Sequence, residues 1–250
     1  MDTQRARMAI SLVDLTNLAD DCDDGAVDEL CVKAIAAGTA AVCVWPDFVA
    51  RCAAALAGTP VAVATVVNFP SGGERPHAVG VVTERALADG ADEIDVVLPY
   101  HAFASGDRAR CTAVLTTVRV ATTGRALMKV ILETGELVDA DLIRSAARLA
   151  IDLGADFVKT STGKTPVSAT PEAAEIMLRE IAAAGRPVGL KPSGGIRTAA
   201  DAERYLALAE SVMGPGWPAP ATFRFGASGL LDALVEAAGG PPGRGDATAY

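Results

Sequence analysis

The chain has 250 residues, half of them apolar, enough for one continuous core at the usual length of a closed α/β barrel. A net charge of −9 and a pI near 4.8 exclude a surface built for nucleic acid or anionic membrane, since both need clustered cations. With no apolar run of about 18 residues and an opening MDTQRARMAI too polar for a signal peptide, the chain is expected in the cytoplasm.

Short β-branched runs alternate along the chain with alanine-rich stretches of helical period. A strand over 8–14 (MAISLVD) is followed by a helix over 24–37, a strand over 40–44 and a helix over 46–57. Next come a strand over 60–66, a helix over 75–89, a strand over 92–98 and a helix over 104–123. The second half continues with strands over 126–132, 156–160, 187–191 and 222–226, and helices over 139–153, 171–184, 199–212 and 227–237. Asp139 and Thr170-Pro171 are placed as helix starts. Gly90 and Gly154 stand where a helix must stop before a strand. Eight strands in strict alternation with eight helices predict a single (β/α)₈ barrel over 1–238, with 239–250 a flexible tail. Counting alone leaves a doubly wound open sheet as the alternative.

Barrel chemistry lies at the carboxyl ends of the strands. The polar residues that break the apolar runs, Asp14, Cys43, Asn68, Asp95, Lys159, Lys191 and Ser228, are expected to collect there. The cationic side chains are 17 arginines and only five lysines. Only Lys33 lies in an ordinary amphipathic stretch, whereas Lys129, Lys159, Lys164 and Lys191 fall in or just after apolar runs. Lysine, unlike arginine, can lose its proton and act as an amine nucleophile. Drift toward arginine is the other source of such a bias.

Lys159 in FVKTSTGK and Lys191 in GLKPSGG end neighbouring strands and point into one mouth. A free lysine has a pKa of about 10.4, so bringing one to about 7 needs roughly 4–5 kcal/mol of differential destabilisation. Burial or a second ammonium supplies that kind of shift. The alternative is that both lysines bind phosphate or pair with acids such as Asp95 and Asp156. Asp95, flanked by Ile94 and Val96, is either held by a buried cation such as Lys129 or poised for proton transfer, and both can hold together. Gly163 with Lys164, Gly194 with Gly195, and Gly226 with Ser228 form three consecutive loops whose amides can face an anion. The five cysteines show no CxxC pair and read as free thiols, Cys43 as a small buried apolar group. His77 and His101 are expected to be exposed or to serve in binding, and no zinc site is apparent.

With these residues in place, the chain resembles the deoxyribose-phosphate aldolase family over nearly its whole length. The matching segments are DLTNL (14–18), ATVVNFPSG (64–72), ADEIDVVLPY (91–100), MKVILETGEL (128–137), GADFVKTSTGK (154–164), ATPE (169–172), VGLKPSGGIRT (188–198) and FRFGAS (223–228). The resemblance implies a barrel aldolase that cleaves 2-deoxy-D-ribose 5-phosphate to acetaldehyde and D-glyceraldehyde 3-phosphate without metal or organic cofactor. It places the imine-forming amine on Lys159, a pKa-lowering lysine on Lys191 and a proton relay on Asp95. By the same resemblance Asp14, Thr16, Lys129, Thr162, Gly163, Lys164, Gly194, Gly195, Gly226, Ser228 and Tyr250 are the substrate-side residues, and a homodimer is expected. Within that group Lys129 is expected to hold Asp95. The chain departs from the family at Gly229, where a second serine is common, at KPSGG for KPAGG, and through most of the tail before Tyr250. Two rival functions remain: an imine aldolase using a donor other than acetaldehyde, and a non-catalytic binder of phosphorylated ligands.

Overall fold

The computed structural model describes residues 1–241. Helix α1 (Thr3–Ile10) leads into β1 (Val13–Asn17), α2 (Asp24–Ala37), β2 (Ala41–Val44), a 3₁₀ turn (Pro46–Phe48), α3 (Val49–Ala55) and β3 (Ala62–Val67). Then follow α4 (Pro76–Ala88), β4 (Glu93–Val97), α5 (Tyr100–Ala104), α6 (Arg108–Thr122), β5 (Leu127–Ile131) and the single turn α7 (Thr134–Leu137). The chain ends through α8 (Ala140–Asp152), β6 (Phe157–Lys159), α9 (Pro171–Ala183), β7 (Gly189–Lys191), α10 (Ala199–Met213), β8 (Phe225–Ala227) and α11 (Leu230–Ala237).

All eight strands are parallel, in the order β7-β6-β5-β4-β3-β2-β1-β8. The circle closes between β7 and β8 by the bridges Leu190–Phe223 and Ser193–Gly226. Across that seam the amides of Leu190 and Arg224 donate to the carbonyls of Thr222 and Leu190 at 2.9 and 3.0 Å. The chain is therefore a barrel, and the open-sheet alternative falls. No helix among the described residues is long and apolar enough to cross a membrane.

Helix α8 shows why these segments form. Asp139 accepts from the amides of Asp141 and Leu142, capping the first turn. Ile143, Ala146, Ala147, Ala150 and Ile151 then bury one face at helical spacing, each buried isoleucine contributing about 1.5–3 kcal/mol. Thr170 caps α9 through the amide of Ala173, with Pro171 in the first turn.

The expected strand over 8–14 is wrong: residues 3–10 are helix, and the strand begins at Val13. Asp2 caps that helix at the Arg5 amide, and the Arg5 guanidinium clamps Glu210 on α10 at 2.6 and 2.8 Å. Cap and ion pair outweigh the strand propensity of the apolar run. The expected helix over 104–123 starts later, at Arg108, with the separate short α5 before it, because Gly106 turns the chain at φ 90° and Asp107 caps a new start at the Arg110 amide. The eighth strand and its helix begin at Phe225 and Leu230, about three residues later than predicted.

In β7 the position of Gly189 admits no side chain, since a Cβ there would stand 2.2 Å from the ring of Phe157 on β6. Gly189→Ala is expected to destabilise the fold by about 1–3 kcal/mol through overpacking; an unchanged thermal midpoint would contradict it.

Candidate active site

Every second side chain of a barrel strand faces inward. That alternation brings Glu93 and Asp95 of β4, Lys129 of β5, Lys159 of β6, Lys191 of β7 and Asp14 of β1 into one interior, all buried. Register sets the neighbours: Asp95 lies opposite Lys129, and Lys159 opposite Lys191. Asp95 Oδ1 accepts from Lys129 Nζ at 2.8 Å, and its Oδ2 accepts from Lys159 Nζ at 2.9 Å and Lys191 Nζ at 2.8 Å. The two amines that were expected to meet thus share a single oxygen. Lys191 Nζ also lies 2.5 Å from Asp14 Oδ2, and Lys129 Nζ 2.5 Å from Glu93 Oε2. Arg224, just before β8, joins the two outer acids, at 2.6 Å to Asp14 Oδ1 and 3.0 Å to Glu93 Oε1.

This cluster holds three acids, Asp14, Glu93 and Asp95, and four cationic side chains, Lys129, Lys159, Lys191 and Arg224. Sealed from water, it balances when one amine is neutral. Burial lowers the Lys159 pKa below the ordinary lysine value, and the Lys191 ammonium lowers it further, against the pull of Asp95. Burial also disfavours charge on Lys191, but Asp14 and Asp95 outweigh it and hold that group well above the ordinary value. Lys129 is likewise raised, its burial overcome by Asp95 and Glu93. Asp95 stays far below the usual carboxylate range because three lysines overcome its burial. Of the three lysines in the cluster, Lys159 is the one whose charged form the site disfavours. Burial is the larger cause of that shift and the Lys191 ammonium the smaller.

Asp14, Cys43 and Asp95 sit inside their strands rather than at the ends. Asp14, Lys129 and Thr162, expected on the substrate side, are all buried with their polar atoms engaged by neighbours, and Lys129 holds Asp95. Asp156 does not reach a lysine; it pairs with Arg119 at 2.9 Å. Thr16 donates to the Asp14 carbonyl and, with half-buried Ser228, lines a cavity of about 230 Å³ between β1, α2 and α11. Gly163 and Gly194 meet: a Cβ on Gly194 would lie 3.3 Å from the Gly163 Cα. A Cβ on Gly226 would strike Ser193 and come 3.1 Å from Lys191 Cε. Beside Gly195 there is open space. The glycine loops after β6 and β7 therefore touch, and Gly226 of β8 lies against Lys191. Lys164 Nζ reaches to exposed Asp20 at 3.1 Å, a weak pair that an anion can displace. Burial raises the Cys43 thiol pKa, consistent with an inert thiol. His77 and His101 are exposed, and Tyr250 lies outside the described residues.

Sequence reasoning missed Glu93, Arg224 and Glu133. Glu93 stands two residues before Asp95, so strand alternation alone points it to the same interior. Arg224 carried no signal beyond an arginine in an apolar run.

A closed barrel with a desolvated amine between a cation and a carboxylate has the equipment of an aldolase working through a lysine imine. The model of the DeoC/LacD family aldolase matches residues 8–233. The deoxyribose-phosphate aldolase of Agrobacterium fabrum is 50% identical over 98% of this chain and 97% of its own. A Coccidioides immitis crystal structure provisionally assigned as deoxyribose-phosphate aldolase superposes with a TM-score of 0.83 at 31% identity, covering 92% of this chain and 86% of that one. One from Toxoplasma gondii ME49, with the same provisional assignment, gives 0.87 at 26% identity, covering 95% and 97%. The chain belongs to the DeoC/LacD family of aldolases.

Proposed function

We propose that this protein cleaves 2-deoxy-D-ribose 5-phosphate reversibly to acetaldehyde and D-glyceraldehyde 3-phosphate through an imine on Lys159. The observation that carries the reading is the buried cluster in which three lysines share Asp95 and the charged form of Lys159 is the one disfavoured. The name of the Agrobacterium relative supports the substrate.

Neutral Lys159 Nζ adds to C1 of the open-chain sugar, and the C1 oxygen leaves as water with a proton relayed by Lys191 and Asp95. Asp95, through a water, takes the proton of the 3-hydroxyl. The C2–C3 bond then breaks, its electron pair moves toward the imine nitrogen, and glyceraldehyde 3-phosphate departs. Protonation of the enamine at C2 and hydrolysis release acetaldehyde and restore the amine. Gly163, Lys164, Gly194, Gly195, Gly226 and Ser228 hold the phosphate, and Thr16 orients the sugar. Asp14 acts through Lys191, and Lys129 through Asp95. No metal or organic cofactor takes part.

Incubation with acetaldehyde and borohydride, followed by peptide mass mapping, is expected to leave an ethyl group on Lys159. Label on Lys164 or Lys191 instead overturns the assignment, and trapping with another carbonyl donor in preference to acetaldehyde favours a different imine aldolase. Absence of any trapping favours a non-catalytic phosphate binder. Lys191→Leu removes the cation beside Lys159 and leaves Asp14 and Asp95 less neutralised, so the Lys159 pKa rises. The acid limb of kcat/KM is expected to move up by about one pH unit or more; an unmoved limb refutes the tuning role.

A cytoplasmic homodimer belongs to the same proposal. Its supports are five free cysteines, four of them buried, and exposed Val81, Val82 and Val120 on the faces of α4 and α6. A monomeric mass by light scattering would overturn the dimer.

A further inference from the structure

The mechanism leaves one fully buried acid without a task. Glu133, between β5 and α7, is 0% exposed and held at φ 57° in the left-handed region that a side chain disfavours. Its carboxylate faces the loop that follows Lys159. Oε2 accepts from the Thr162 hydroxyl at 2.5 Å and from the Thr162 amide at 3.2 Å, and Oε1 from the Thr165 hydroxyl at 3.2 Å. The same Thr162 oxygen accepts from the Lys164 amide at 3.0 Å. One carboxylate therefore ties down the backbone on both sides of Gly163. Gly163 in turn touches Gly194 of the next loop, and Gly135 packs where a Cβ would meet the Val167 carbonyl at 2.0 Å.

We propose that Glu133 is a positioning residue that shapes the 162–165 loop into one wall of the phosphate cradle. The proposal rests on the sugar-phosphate reading above. The Thr162 amide and hydroxyl and the Thr165 hydroxyl converge on this group, the last shared with the Val167 carbonyl at 3.1 Å, and an acceptor-only side chain meets them all. Glutamine presents one oxygen and an NH₂, so the charge is lost and at least one of the two threonine hydroxyls must turn its proton away. Turned toward Thr162, the NH₂ also meets the Thr162 amide, which has no lone pair to accept with. Burial raises the Glu133 pKa, while the Thr162 and Thr165 bonds pull it back toward the charged form.

The test compares 2-deoxyribose 5-phosphate with unphosphorylated 2-deoxyribose. Glu133→Gln is expected to raise KM for the phosphorylated sugar about tenfold with kcat changed less than about threefold, the signature of lost binding away from the reacting bond. The kcat/KM for 2-deoxyribose should change less than about twofold. Thr165→Val, which removes a single donor, should show the same split more weakly, and it carries the test where Glu133→Gln does not fold. Equal losses on both sugars, or no loss on either, overturn the proposal. Failure of the unaltered protein to cleave either sugar, or to trap acetaldehyde on Lys159, overturns the sugar-phosphate reading instead.

Discussion

Lys159→Ala is expected to reduce kcat for sugar-phosphate cleavage by about 10⁴-fold or more, equivalent to roughly 5 kcal/mol or more of transition-state stabilisation. No other side chain takes over. Lys191 shares the Asp95 oxygen, but Asp14 and Asp95 keep it charged, and a protonated amine has no lone pair to attack a carbonyl. The same variant should not lose stability. Lys159 is the amine whose charge the interior disfavours, and removing it leaves Asp95 paired with Lys129 and Lys191 at 2.8 Å each. The thermal midpoint is expected to hold or rise, as when a function-bearing residue is relieved of its strain. Retained turnover refutes the imine mechanism. A large fall in the midpoint refutes the charge account of the cluster.

Lys129→Met has the opposite profile. Lys129 is held charged by Asp95 and Glu93, with Asp14 3.6 Å away. Its loss leaves three buried acids facing Lys191, Arg224 and Lys159. Breaking a buried ionic network by removing one partner costs about 3–5 kcal/mol, or about 6–20 °C in a chain of this size. The deficit of positive charge also draws a proton onto Lys159, so the acid limb of activity moves to higher pH. Differential scanning calorimetry and a pH–rate profile on one preparation test both halves. A variant as stable as the parent would mean that the acids are neutralised elsewhere.

Much of this was legible beforehand because a parallel barrel repeats one local rule eight times. The helix over 24–37 and the starts at Asp139 and Thr170 follow from caps and periodicity within a few residues. Lys159 and Lys191 stood out as lysines ending apolar runs in a chain that otherwise prefers arginine. The first strand was misplaced because what decides residues 3–10 is distant: Arg5 finds Glu203 and Glu210 about 200 residues away. Arg224 and Glu133 were missed for the same reason, since each matters through partners on other strands and loops.

By itself the amino-acid order determined the alternation of strands and helices, the family pattern and which lysines were available for chemistry, all of which depend on near neighbours along the chain. The difference in electrostatic setting between the two central amines was decided only by tertiary structure. Lys159 and Lys191 contact the same oxygen and are similarly buried, yet Asp14, brought 2.5 Å from Lys191 by barrel closure, favours the charged form there, while burial disfavours it on Lys159. Electrostatic energy in a water-free interior depends on distances of a few ångströms across strands, and those distances exist only after the barrel has closed.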